Sequence, residues 1–206
     1  MSYHLAQVKE YFFNLVPELN DEKWKLFEQV VEIRTYKKGD YILKPGQIEN
    51  RVSFVNRGLI RLYYQVEDKE YISAFFHEGC YCSDYESFLS RQPSNRYSEV
   101  LEDAELVDIS YENLQWLYQQ LPECERAGRL VGESLFVMLS NRISAFLMQT
   151  PEERYLNFLE QFPSLQQRVP QYMIAAFLGI TPEALSRIRS RLSRKSREAS
   201  LIQINK

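Results

Sequence analysis

The sequence predicts an α+β chain: an antiparallel β-roll punctuated by glycine turns, then a long helix, then a C-terminal helix-turn-helix of winged-helix-like type. Three stretches of the 206 residues carry that expectation. From Val31 the apolar residues alternate with polar ones in short runs between glycines, the period of a half-buried strand. From about Glu123 to Gln149 a dense apolar pattern runs without a further proline. From Gln171 to Leu192 two short helical patterns flank Gly179.

The chain opens with Leu5, Val8, Phe12, Leu15 and Val16 at helical spacing. Pro17 interrupts, and Asn20 suits the N-cap of a second helix carrying Trp24, Phe27 and Val30. Strands are expected at Tyr41–Leu43, Val52–Val55, Leu59–Val66, Tyr71–Phe76, Ser98–Leu101 and Glu105–Ile109. Turns at Lys37–Asp40, Lys44–Gly46, Asn56–Gly58 and His77–Gly79 separate them, the rhythm of a small barrel or roll. Tyr111–Leu121 reads as a short helix, and Pro122 can open the next at its first turn.

That long helix carries Leu130, Val131, Leu135 and Met138 among apolar residues that cover more than one stripe, so burial on two sides is expected. Gly128 and Gly132, four apart, fit either a close approach of two backbones or simple tolerance at about 1 kcal/mol each relative to Ala. Thr150-Pro151-Glu152-Glu153 is a capping box that starts a new helix and marks a boundary. Tyr155, Phe158 and Leu159 give it a core face. Three segments follow: 1–110, 111–149 and 150–206. Leu201–Ile204 could form one strand, and the residues that remain leave any wing short or absent as a C-terminal hairpin.

In the helix-turn-helix, Ile174, Ala175 and Leu178 line one side of the first helix and Gly179 supplies a left-handed turn. Ile180 fills the angle, Thr181 is an N-cap, Pro182 takes the first helical position, and Leu185, Ile188 and Leu192 repeat at three and four. The opposite side shows Glu183, Ser186, Arg187, Arg189, Ser190, Arg191 and Arg194. Arg168 to Arg197 holds seven basic residues against one acid, about +6, in a chain of net −3, so the remainder stands near −9. Such a patch is an electrostatic footprint for phosphate, and the geometry suits entry into a DNA major groove.

The run L-G-I-T-P-E-A-L-S-R, Leu178 to Arg187, resembles the recognition motif of the Crp/Fnr superfamily of bacterial transcription regulators. Gly39, Gly46 and Gly58 fall in the order of glycines in that family's cyclic-nucleotide-binding roll. The resemblance implies that Glu183, Ser186 and Arg187 read bases, with Arg on guanine and Glu on cytosine. Thr181, Arg189, Ser190, Arg191 and Arg194 would hold phosphates. It also implies a sensor roll over 1–110, a dimer seam on the long helix at Leu130, Val131, Leu135 and Met138, a helix-turn-helix DNA-binding domain over 150–206, an inverted-repeat operator on double-stranded DNA, and contact with RNA polymerase.

At the nucleotide-binding residues the sequence departs from the family. The Gly-Glu-Leu turn is Gly79-Cys80-Tyr81-Cys82 here, and the phosphate-binding pair falls on Ser94-Asn95, with Arg96 two positions late. If Arg96 begins a strand, that shift points it the wrong way. Tight cyclic AMP binding is therefore not expected. Tyr63, Phe75, Tyr81, Cys82, Tyr85 and Arg96 remain candidates to line a pocket for another small-molecule effector, which the sequence does not identify.

Other classes fit less well. A cupin-like metalloenzyme would use several histidines, and only His4 and His77 are present, far apart. No nucleophile elbow or phosphate-binding glycine loop occurs, so no enzyme activity, metal or cofactor is expected. A dimeric scaffold without DNA would leave the basic helix unexplained. Cys80, Cys82 and Cys124 form no disulfide framework or zinc pattern, no signal peptide is visible, and no apolar run nears the roughly 18 residues of a membrane span. A cytoplasmic homodimer with no membrane partner is expected.

Overall fold

The computed structural model describes residues 3–204, with side chains through 194. The chain divides into two compact units, Met1–Val137 and Met138–Lys206.

The first unit opens with α1 (Ala6–Leu15) and α2 (Asp21–Val30). The Asn20 side chain accepts the Lys23 N–H at 3.0 Å, the cap its sequence position suggests. Six strands follow: β1 (Val31–Tyr36), β2 (Tyr41–Leu43), β3 (Arg51–Val66), β4 (Lys69–Phe76), β5 (Tyr81–Cys82) and β6 (Tyr97–Ser110). All pairings are antiparallel, in the order β1-β6-β3-β4, with β2 on β6 and β5 on β3. The short helix α3 (Tyr85–Ser90) lies between β5 and β6, and α4 (Tyr111–Gln120) follows β6.

The expected break at Asn56–Gly58 does not occur. β3 runs through it as an irregular stretch whose register against β6 shifts between Val55 and Ile60. Gly58 sits at φ +110°, and a Cβ there would lie 2.6 Å from that of Ala104. A residue without a side chain thus lets the strand bend while its pairing continues. The expected strands Ser98–Leu101 and Glu105–Ile109 likewise join into β6, because Glu102 stays paired with Leu59 across the polar interruption.

Strand alternation makes two cores. Phe54, Val107 and Tyr81 face the helical side, where Val8, Trp24, Phe27, Leu117 and Cys124 pack. Their chain neighbours Val55, Leu106 and Cys82 face the other way and cluster with Ile60 and Val100 inside the roll.

The helix α5 (Pro122–Met148) crosses from one unit into the next. Cys124 and Ala127 are buried, and Leu130, Val131 and Leu135 are half-buried. Met138 is exposed, as are Phe136 at 73% and Leu147 at 81%. Burial on two sides is therefore not met within one chain. By length and composition α5 could also cross a membrane, although Glu133, Arg142, several serines and an asparagine break its apolar residues into short runs. Gly128 has an intrachain reason: a Cβ there would fall 2.0 Å from the Tyr118 hydroxyl oxygen.

The second unit contains α6 (Pro151–Gln161), α7 (Leu165–Arg168), α8 (Gln171–Leu178) and α9 (Pro182–Ile204). Thr150 and Glu153 form the expected capping box. The strand expected at Leu201–Ile204 is instead the end of α9; no glycine or proline stands between Leu192 and Ile204 to stop the helix.

Gly58→Ala is expected to destabilise the protein by about 1–3 kcal/mol, because it combines a disfavoured φ with a backbone clash. Denaturant unfolding measures this; an unchanged midpoint would contradict the close crossing of β3 and β6.

Candidate nucleic-acid interface and roll interior

The C-terminal unit builds its turn from the residues the sequence singles out. Met173, Ile174, Ala175 and Leu178 of α8 are buried, as are Leu185 and Ile188 of α9. Gly179 adopts φ +67°. Its N–H donates to the Ala176 carbonyl at 3.4 Å, and the Ile180 N–H to the Ala175 carbonyl at 3.0 Å, the paired bonds of a Schellman stop. Thr181 Oγ1 accepts the Ala184 N–H at 3.2 Å and so caps α9.

Two arginines that sequence reasoning missed hold the same turn. Arg142 donates to the Phe177 carbonyl at 3.0 Å and lies 3.9 Å over the Phe177 ring. Burial pushes its pKa down to about 10, so it remains charged. Arg154 donates to the carbonyls of Leu178 at 3.2 Å and Gln149 at 2.8 Å. These cations satisfy the last carbonyls of α8, the negative end of its dipole. The available signal was basic residues scattered in otherwise apolar helices, which spacing alone cannot distinguish from solvated charge.

On α9, Thr181, Glu183, Ser186, Arg187, Ser190, Arg191 and Arg194 are exposed and Arg189 is half-buried. Glu183 accepts from its own backbone and from Thr181 at the helix start, with Arg187 one turn on, which together hold its carboxyl below the usual range. Arg191 is paired with Glu152 of α6. The eight residues assigned to base and phosphate contact therefore lie along the first turns of one helix, with Arg191 already engaged by a carboxylate that a phosphate would have to displace.

The pocket candidates do not converge. Tyr63 is buried and stacks on Tyr97 at 5.1 Å with Arg61 4.1 Å above it. Arg61 itself is buried between Glu70 and Glu99. Phe75 and Cys82 are buried, and burial raises the Cys82 thiol well above its ordinary range. Tyr81 and Tyr85 lie on the helical side of the sheet instead, in the lining of an apolar cavity.

Arg96 precedes β6, so strand alternation does not aim it outward. Its side chain is mostly buried and reaches back to Asp84 at 3.1 Å and to Glu86, 4.8 Å over the Tyr64 ring. Ser94 Oγ donates to Asp84 at 2.5 Å. Ser94, one of the two residues that the sequence aligns with a phosphate-binding pair, and the nearby Arg96 thus both hold Asp84 of their own chain. Near Asp84 a second buried carboxylate, Glu49, is raised to about 7, chiefly by burial. An incoming cyclic phosphate would meet two buried acids and an arginine already neutralised.

His77 follows β4 and its Nδ1 donates to the Glu78 carbonyl at 3.0 Å, leaving Nε2 3.6 Å from the Cys80 sulfur. Burial alone would raise the Cys80 thiol, but the His77 contact outweighs it and the pKa is lowered. Among the described residues no group of three or more His, Cys, Asp or Glu could hold a metal ion.

Residues 33–121 match the family model of the cyclic nucleotide-binding domain. Solved structures match over most of the chain. FixK2 from Bradyrhizobium japonicum has TM-score 0.67 at 20% identity, covering 81% of this chain and 86% of its own. A CooA variant from Carboxydothermus hydrogenoformans has TM-score 0.65 at 20% identity, covering 86% and 81%. The catabolite activator protein of Thermus thermophilus has TM-score 0.54 at 21% identity, covering 88% and 87%. The chain has the fold of the Crp/Fnr transcription regulators. No curated protein matches it in sequence. The matched residues 33–121 take in most of the roll and reach the end of α4.

Glu49 gives a pH test. Its folded-state pKa of about 7 stands above the ordinary 4.5, so the folded protein holds this proton more tightly than the unfolded chain. The stabilisation is complete below pH 4.5 and is lost as pH rises through 7. Stability is expected to fall by up to about 3 kcal/mol across that window, and Glu49→Gln to flatten the fall. Unfolding midpoints at pH 5 and pH 8 for both proteins check it.

Proposed function

We propose that this chain is a homodimeric, sequence-specific DNA-binding transcription regulator of the Crp/Fnr type, acting on an inverted-repeat operator and not controlled by cyclic AMP. The observation that carries the reading is the face of α9 on which Glu183, Ser186, Arg187 and Arg194 are exposed, on a helix whose other side is buried against α8. Arg187 can fork onto guanine O6 and N7, and Glu183 can accept from cytosine N4. Thr181, Arg189, Ser190, Arg191 and Arg194 set the register on phosphates.

The apolar surface of α5 supports the dimer. Phe136, Val137, Leu139, Ile143 and Leu147 are exposed together with Met138. A continuous apolar surface on a helix of a folded domain calls for a partner, and a second copy of the same helix matches it in length and chemistry. Two recognition helices about 34 Å apart would then face successive major grooves. In this reading residues 1–110 are the sensor, 111–149 the dimerisation segment and 150–206 the DNA-binding part. RNA polymerase is the further partner that the fold suggests, and the site of action is the cytoplasm.

Duplexes selected from a random pool, followed by a salt titration, test the reading. The logarithm of affinity is expected to fall with the logarithm of salt by about 0.9 per neutralised phosphate. Absence of binding at low salt would favour a scaffold. Arg187→Ala is expected to cost about 1–3 kcal/mol and to relax preference at one base pair per half-site. Arg194→Ala is expected to weaken all sequences alike, and an Arg187 variant doing the same would remove that residue from the base readers.

A further inference from the structure

A reverse turn between β4 and β5 brings two reactive side chains together. It reads His77-Glu78-Gly79-Cys80. The Cys80 N–H donates to the His77 carbonyl at 3.1 Å, and Gly79, third in the turn, takes φ +81°. That left-handed position is what a type II turn requires, and such a turn brings its first and last residues within about 7 Å. Two bonds clamp the turn to β3: the Gly79 N–H donates to the Val55 carbonyl at 2.9 Å, and the Val55 N–H to the Cys80 carbonyl at 3.0 Å. Glu78 Oε1 accepts the Gly58 N–H at 2.9 Å, which fixes the carboxylate away from the thiol's own bonds.

The turn therefore holds a nucleophile, a base and a group that orients the base. The Cys80 sulfur lies 3.6 Å from His77 Nε2 and 3.9 Å from Nδ1. With the Nδ1 proton directed at the Glu78 carbonyl, Nε2 is the nitrogen that accepts the thiol proton. Both residues are half-buried, so the pair belongs to the surface of the first unit and not to either core. Burial opposes ionisation of Cys80, but His77 outweighs it and the thiol pKa falls, while that of His77 rises, chiefly through Cys80. The other titratable groups that act on the sulfur are Glu78, Tyr11 of α1 and Cys82 of β5, none of them a cation.

The remaining cysteines do not share this chemistry. Cys82 packs inside the roll and Cys124 among the helices, and burial raises both thiols. A sulfenic acid on Cys80 would thus find no thiolate in its own chain to resolve it. Addition to a carbon electrophile needs no such partner.

We infer that Cys80, with His77 as its acid–base partner, is a covalent binding site for small neutral α,β-unsaturated carbonyl compounds. The sulfur bonds to the β-carbon, the C=C π pair moves through the enolate to the α-carbon, and the proton that passed from sulfur to Nε2 ends on that carbon. No oxidant, reductant or second thiol is consumed. A neutral reagent fits because the Glu78 carboxylate repels an anion. The site shares no residue with α9, and it stands whether or not the chain binds DNA.

The test treats the full chain with methyl vinyl ketone in thiol-free buffer, locates adducts by peptide mass spectrometry, and follows the rate from pH 6 to pH 9. One adduct is expected, on Cys80, with Cys82 and Cys124 unmodified. At pH 7 it is expected to form about threefold or more faster than on a cysteine in a short unstructured peptide, because the larger thiolate fraction outweighs the lower nucleophilicity that accompanies it. His77→Gln is expected to slow the reaction about tenfold at pH 7, with the gap narrowing toward pH 9 as the thiol ionises without help. The wild-type rate decides without any variant: its inflection is expected below that of the peptide. Modification of Cys82 or Cys124 in place of Cys80, a rate no higher than the peptide's, or an inflection at or above the peptide's would overturn the site. An unchanged rate in His77→Gln, or a slowing of equal size at both ends of the range, would remove His77 from the chemistry.

Discussion

Between Leu178 and Thr181 the chain reverses through a single left-handed glycine, and three sets of forces meet there. Gly179 takes φ +67° and has no room for a side chain, since a Cβ would sit 2.8 Å from the Phe146 ring. Arg142 and Arg154 bind the carbonyls of Phe177 and Leu178 that the helix leaves open. Thr181 caps the helix that follows. Because α8 and α9 are fixed to each other by this turn and by the buried Ile174, Ala175 and Leu185, the arginine side of α9 faces away from its own core. An interface that reads DNA needs its side chains held in register before contact, and a locked turn supplies that without an induced rearrangement.

Charge is distributed in the opposite sense in the other unit. The roll interior buries Glu49 and Asp84, and its arginines are matched by carboxylates: Arg61 by Glu70 and Glu99, Arg96 by Asp84 and Glu86. The basic face of α9 thus contrasts with a roll in which Arg61 and Arg96 are matched by carboxylates of their own chain.

Much of this was legible in the sequence because local chemistry dictated it. Asn20, Thr150 and Thr181 cap the helices they precede, and Gly179 turns as its position requires. The departures share a cause: each depends on a neighbour distant in sequence. Gly58 reads in sequence as a turn, but Ala104 stands against it, and Gly128, which in sequence fits either a close backbone approach or simple tolerance, faces Tyr118. Arg96 pointed inward because Asp84, in another element, drew it there. The six pocket candidates scattered to both faces of the sheet because Tyr81 and Cys82 are neighbours in a strand, and strand neighbours point opposite ways. Leu201–Ile204 read as a strand by composition, whereas an uninterrupted helix simply continued into it.

The account stands on α9 entering the major groove as one of a symmetric pair. Hydroxyl-radical footprinting of the chain on a selected duplex measures that most directly. Two protected patches related by a dyad and separated by about one helical turn, roughly 10 base pairs, are the predicted result. A single patch, or uniform cleavage at concentrations that saturate binding, would contradict it.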